Sequence, residues 1–153
     1  MTIPTQERNR YVTKLLNGMH HSLQSIIPLE HELSKPHLQE RALQLPFGVL
    51  IGITGDIRGK LVLAGNQSIF ASIGQSMYGM AIEGEMLISF SGELGNMIAG
   101  NLATNIVQYE LRTDITAPTI IEGNTTLSGY DKAIHLSAVF VHAGNLDIYL
   151  ILD

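Results

Sequence analysis

The chain has no cysteine, which removes disulfides, thiolate nucleophiles and cysteine-ligated zinc together. Any metal site would have to rest on histidine and carboxylates, and the histidines are poorly placed for one. His20 and His21 are adjacent on a helical stretch and cannot face one ligand, while His135 and His142 fall at opposite ends of one strand. No metal site of its own is expected. Basic residues are also scarce: 9 Lys and Arg stand against 14 Asp and Glu, for a net charge of -5, with no basic cluster. That argues against a nucleic-acid partner. No apolar run approaches the roughly 20 residues that span a bilayer, and the opening MTIPTQERNRY holds no apolar signal core. A cytoplasmic protein with no membrane contact is expected. The Gly-x-Ser-x-Gly elbow of many hydrolases is missing as well. The TGDIRG stretch at residues 54–59 has the glycines of a phosphate cradle but neither the Lys-Ser/Thr ending nor a following helix, so it reads as a turn.

What remains is an apolar fraction of 45%, enough for one compact domain with a sizeable core over residues 1–153. Val12, Leu15, Leu16, Met19, Leu23, Ile26 and Ile27 recur at helical spacing, which predicts a helix over residues 7–27 stopped by Pro28. Residues 29–46 are polar and punctuated by Pro36 and Pro46, with room for an edge strand at residues 29–33. Residues 48–64 give two β-rich runs joined by the TGDIRG turn. Asn66 can cap a second helix whose Ile69, Phe70, Ile73 and Met77 face inward and which Gly79 ends. Residues 113–123 are strand-like but broken by Pro118. Residues 133–152 predict a second hairpin through His142, Ala143, Gly144 and Asn145, with Leu136, Ala138, Phe140 and His142 on one face. The fold class is therefore α+β, a mostly antiparallel sheet packed against long helices. Two similar hairpins and two long helices suggest a weak internal duplication.

The remaining stretch, residues 89–110, carries an apolar stripe and a polar constellation on one helix. At about 100° per residue, Leu87, Leu94, Ile98 and Leu102 share one face, and Ser89, Glu93, Asn96 and Gly100 share the other. Exposed helix positions favour Ala, Lys, Glu, Gln and Arg. Here stand Gly92, Gly95 and Gly100, each costing about 1 kcal/mol relative to Ala. Gly95 points toward the protein's own sheet and is expected to relieve crowding there. Gly92 and Gly100 flank the polar face and are expected to let a partner approach Glu93 and Asn96. In the first helix Arg10, Lys14 and Asn17 repeat the spacing of Ser89, Glu93 and Asn96 with a lysine in place of the acid, as if one half had lost its site.

The pattern Ser89-x3-Glu93-x2-Asn96, with Pro118 downstream, resembles the signature of the CheC/CheX/FliY phosphatases of bacterial chemotaxis. The likeness extends from GITGDIRGKLVLAG through Met77-Tyr78-Gly79 and GELGNMIAGNLA to APTIIEG and the closing hairpin. A single copy of the motif is more similar to CheX than to the two-site CheC. The resemblance implies hydrolysis of the aspartyl phosphate of a CheY-like response regulator. The Mg2+ and lysine beside that phosphate would belong to the regulator, and this chain would supply no cofactor.

Asn96, able to donate and accept, would position the attacking water. Glu93, one turn earlier, would by resemblance pair with the regulator's lysine. Ser89 would cap or orient the helix, Met86, Gly92, Met97 and Gly100 would support docking, and Pro118 would shape a strand beside it. The resemblance also implies a homodimer joined through its sheet. Two other readings stand beside it. One is an interaction module that binds a regulator or another signalling partner without hydrolysis; the other is a small-molecule sensor, which would show a ligand-dependent melting shift with no partner.

Overall fold

The computed structural model describes residues 5–153, with side chains from residue 10 onward. The first helix, α1 (Thr5–Ile26), is followed by strands β1 (His31–Leu33), β2 (His37–Gln39), β3 (Leu43–Gly55) and β4 (Gly59–Ala64). Helices α2 (Gln67–Tyr78) and α3 (Glu85–Ile106) come next, then β5 (Thr113–Ile115), β6 (Thr119–Leu127), β7 (Ala133–Phe140) and β8 (Gly144–Leu152). All strand pairings are antiparallel, in the order β1-β7-β8-β4-β3-β5, with β2 also on β7 and β6 also on β3. The expected α+β class is what the chain adopts.

The duplication is visible in how the strands pair. Each half runs helix, broken strand, hairpin: α1, β1 and β2, then β3 and β4; α3, β5 and β6, then β7 and β8. Each broken strand is interrupted near a proline, Pro36 or Pro118, and pairs with the outer strand of the other half's hairpin. Proline lacks the N–H that a ladder needs, so it sits where pairing lapses. The hairpins meet at the β4–β8 seam, which puts the two halves back to back.

One face of the sheet is covered by helices. Leu15, Met19 and Leu23 of α1 and Leu94, Ile98 and Leu102 of α3 are buried with Val49, Ile51, Leu61 and Leu63 of the central strands. Gly18 brings α1 against α3, since a Cβ there would stand 2.9 Å from Leu102 Cδ1. Ser22 Oγ donates to the Ile98 carbonyl at 2.9 Å, tying the helices with a buried bond. Alternation in β4 sends Val62 and Ala64 to the opposite face, where they join Leu43, Leu45, Ile121, Ala133 and Ile151 in a second cluster flanked by Tyr130 and Tyr149.

Four local expectations need correction. Strand β3 begins at Leu43 rather than at residue 48 and absorbs Pro46 at a register shift between Leu45 and Phe47. The edge strand expected at residues 29–33 is the shorter β1, and β2 had no expectation attached to it. Asn66 occupies the N-cap of α2 but makes no side-chain cap bond, whereas Gly79 ends the helix as expected in the left-handed conformation, φ 72. His142 has φ 64 and lies exposed in the hairpin turn, not on the inward face with Phe140.

The cluster on the helix-free face has a measurable signature at high pH. Burial, aided by the nearby Asp147 and Tyr130, pushes the Tyr149 phenol up to about 12. A raised folded-state value favours the neutral phenol in the folded protein. Its stabilisation is whole below the unfolded value of about 10 and is lost as pH rises through the folded one. The melting-temperature difference between wild type and Tyr149→Phe is therefore expected to be constant up to pH 9 and to move against wild type between pH 10 and 12. A difference that stays level over that range would contradict the assignment.

Candidate functional site

Helix α3 starts earlier than residue 89. Its N-cap is Gly84 at φ 61, which offers no capping side chain, and Glu85 is the acid of the first turn. Ser89 therefore lies one turn inside the helix and caps nothing. It is exposed with Glu93 and Asn96, and these three define the outward face. The inward face is held by Leu87, Leu94, Ile98 and Leu102, all buried, so the helix cannot rotate without exposing its core stripe.

The glycines divide differently from expectation. Gly95 meets the sheet as expected: a Cβ there would stand 2.8 Å from Val49 Cγ1 and 3.1 Å from Ile51 Cδ1. Gly92, expected to face a partner, is buried against the chain's own loop, with Pro118 Cγ at 3.6 Å and Ile120 Cδ1 at 3.4 Å from the Cβ position. Pro118 thus leans on α3 between β5 and β6, next to the polar face. Gly100 is half-buried on the shoulder of the helix, and Ile115 Cδ1 is its nearest neighbour at 3.9 Å. Met97 is half-buried and packs on the main core, which leaves only part of it for a partner.

Among the described residues nothing pairs with the Glu93 carboxylate or the Asn96 amide. The single ion pair among those residues joins His135 and Asp147, remote in the fold. An exposed acid and amide one turn apart, backed by a rigid helix, can receive a cation and hold a water at once. Neither is a nucleophile with a neighbouring base. The arrangement suits positioning around a reactive group that a partner brings. In α1, by contrast, Lys14 Nζ lies 5.6 Å from the Tyr109 ring centroid, while Arg10 and Asn17 are exposed, so the degenerate copy offers a cation bound to its own protein.

Two features escaped the sequence. Tyr78, Met80, Met86 and Phe90 line an open hollow of about 770 Å³ beside Ser89 and Glu93. Met86 and Phe90 have their places set by α3 alone; Tyr78 and Met80 come from the end of α2 and the linker. The second is a polar ladder on the helix-free face, where His135 Nδ1 lies 2.9 Å from His37 Nε2 and His135 Nε2 lies 2.9 Å from Asp147 Oδ1. The two nitrogens of His135 look in different directions, so the three groups do not converge on one point.

Comparison with known proteins gives this geometry a family. Residues 47–140 match the family model for chemotaxis phosphatase CheX. The chain is 30% identical over 119 residues to the CheY-P phosphatase CheX of Thermotoga maritima, covering 74% of this chain and 76% of that one. Its fold is shared with a chemotaxis protein CheX from Desulfovibrio desulfuricans, at TM-score 0.78 and 16% identity over 92% of this chain and 97% of that one. It is shared equally with CheX from Borrelia burgdorferi, solved as a complex of CheX, CheY, BeF3 and Mg2+, at TM-score 0.77 and 20% identity over 93% of this chain and 97% of that one. With the match spanning most of the sheet and all of α3, the chain belongs to the CheX family of chemotaxis phosphatases.

Proposed function

We propose that this chain is a phosphatase of a phosphorylated CheY-like response regulator and works by placing the Glu93 and Asn96 face of α3 against the regulator's phosphorylated aspartate. The observation that carries the reading is the unpartnered acid and amide one turn apart on a helix fixed by its buried face. The Thermotoga relative is a CheY-P phosphatase, and the Borrelia relative is seen with CheY, a phosphate mimic and Mg2+.

An acyl phosphate bound beside a divalent cation and a lysine already has much of its developing charge met, so positioning is the main task left. In this reading both of those groups are the regulator's. Glu93 receives the regulator's lysine and fixes the docked orientation. Asn96 orients a water so that its oxygen attacks phosphorus in line. The bond between phosphorus and the aspartyl oxygen breaks, the carboxylate leaves with the electron pair, and the water's proton is released as inorganic phosphate forms. Gly92 and Pro118 act by packing the loop before β6 against the helix, Ser89 and Gly100 border the docked face, and Met97 fills its edge.

The test is the lifetime of the phosphorylated regulator with this chain in excess. Shortening is expected with wild type, and Glu93→Ala is expected to lose about tenfold of the acceleration, with part of the loss in affinity. A regulator that binds but keeps its phosphate equally long would leave an interaction module of the same fold. Both sheet margins end in interrupted strands with open outer edges among the described residues, which supports a sheet-joined homodimer as part of the proposal. Sedimentation is expected to give twice the 16.7 kDa chain mass.

A further inference from the structure

Large apolar side chains that face water usually do so singly, and a cluster of them next to a site has meaning. Tyr78, Met80 and Met86 are 54%, 54% and 52% exposed, and all three line the same open hollow at the N-terminal end of the Glu93 face. Its wall is fixed where Tyr78 meets the buried Phe90 edge-on, ring centroids 5.5 Å apart and planes at 76°. Its rim is adaptable, since methionine is unbranched and polarizable and shapes itself to what it meets. Glu85 and Glu93 border it, and among the described residues neither carboxylate is in an ion pair.

We propose that this hollow is the subsite that selects the regulator: it takes an apolar side chain, flanked by a basic residue, from a receiver-domain loop bordering the phosphorylated aspartate. The inference rests on the phosphatase reading above. Continuity is one argument for this occupant, because Ser89 and Glu93 line the hollow and also form the outward face that carries Asn96. Met86 and Glu93 are seven positions apart on α3, about 10 Å at 1.5 Å per residue. Three extended residues of a partner loop cover that span. A regulator whose lysine is seated on Glu93 therefore brings its neighbouring loop over Met86. Charge is the second argument: with Glu93 engaged by the regulator's lysine, Glu85 is left beside the apolar floor to complement a basic residue next to an apolar one.

The experiment compares wild type with the double variant Met80→Ser, Met86→Ser, following phosphate loss over a range of regulator concentrations. Both residues are exposed, and an unchanged circular dichroism spectrum confirms that the fold is kept. The half-saturating regulator concentration is expected to rise roughly tenfold from the lost apolar contact, with the saturated rate within about twofold of wild type. Asn96→Ala should show the reverse split. An unchanged half-saturating concentration, with wild type active, overturns the proposal. A lost saturated rate at unchanged half-saturation overturns it too, as it makes the hollow part of the reaction geometry. Should wild type bind the beryllofluoride-activated regulator without accelerating anything, the phosphatase reading alone fails. The same variant then decides the hollow by affinity, tenfold weaker binding upholding it and equal binding overturning it. Dissociation of a homodimer by the double variant would mean that a second copy fills the hollow, and would also overturn the proposal.

Discussion

Asn96→Ala is expected to slow the chain-dependent loss of regulator phosphate by about 10²- to 10³-fold while affinity for the activated regulator changes only a few-fold. The size follows from where the amide sits. Asn96 is exposed and makes no side-chain bond among the described residues, so its removal costs little stability. What it loses is a group that can donate to and accept from one water in a set orientation. Because the regulator supplies its own charge stabilisation, positioning is the larger part of what this protein adds, and a truncated amide removes most of it. Asn96→Asp keeps the size but adds a negative charge beside the phosphate, and is expected to lose affinity as well as rate. Single-turnover decay with saturating protein checks the first loss, and titration with the beryllofluoride-activated regulator checks the second. Equal losses of rate and affinity in Asn96→Ala would reduce Asn96 to a docking contact.

Gly95→Leu is expected to be the most damaging single change to the helix that carries the site. Leucine raises helix propensity by nearly 1 kcal/mol over glycine, which taken alone would stabilise α3. The space decides otherwise. The first carbon already falls 2.8 Å from Val49 Cγ1 and 3.1 Å from Ile51 Cδ1, and the remaining three would enter a closed core. Overpacking of this kind costs about 1–3 kcal/mol or more. A net loss of about 3 kcal/mol corresponds to a melting temperature roughly 6–12 °C lower for a domain of this size. Glu93 and Asn96 would be displaced with the helix, so activity should fall at temperatures where the variant is still folded. Thermal unfolding and the decay assay at 20 °C check both statements. A melting temperature at or above wild type would mean that α3 does not approach the sheet as closely as this geometry requires.

Much of this was legible from residue order. The apolar stripes of α1 and α3 and the alternation in the two hairpins are local patterns, with periods near 3.6 and 2, and structure followed them closely. That Glu93 and Asn96 share an outward face was legible because they lie on one element, where spacing alone gives direction. Misreadings arose where the answer depended on a distant segment. Gly92 borders the polar face of an isolated helix, and only the return of Pro118 and Ile120 after two more elements buries it. Ser89 looked like a cap because Gly84 marks the true start by a backbone angle and offers no polar side chain. The contact of His135 with His37 and Asp147 needs β2, β7 and β8 side by side. No spacing along the chain encodes that. The hollow around Met86 escaped for the same reason, since Tyr78 ends one helix, Met80 lies in the linker and Met86 begins another.

The most direct measurement is phosphate release from a phosphorylated CheY-like regulator in large excess over this chain, with free Mg2+ present and Asn96→Ala in parallel. The expected result is that each molecule of wild type clears many regulator phosphates, at a rate proportional to its own concentration, while the variant binds and clears almost none. Release no faster than the regulator's own decay, with binding intact, would contradict catalysis and leave α3 a docking surface.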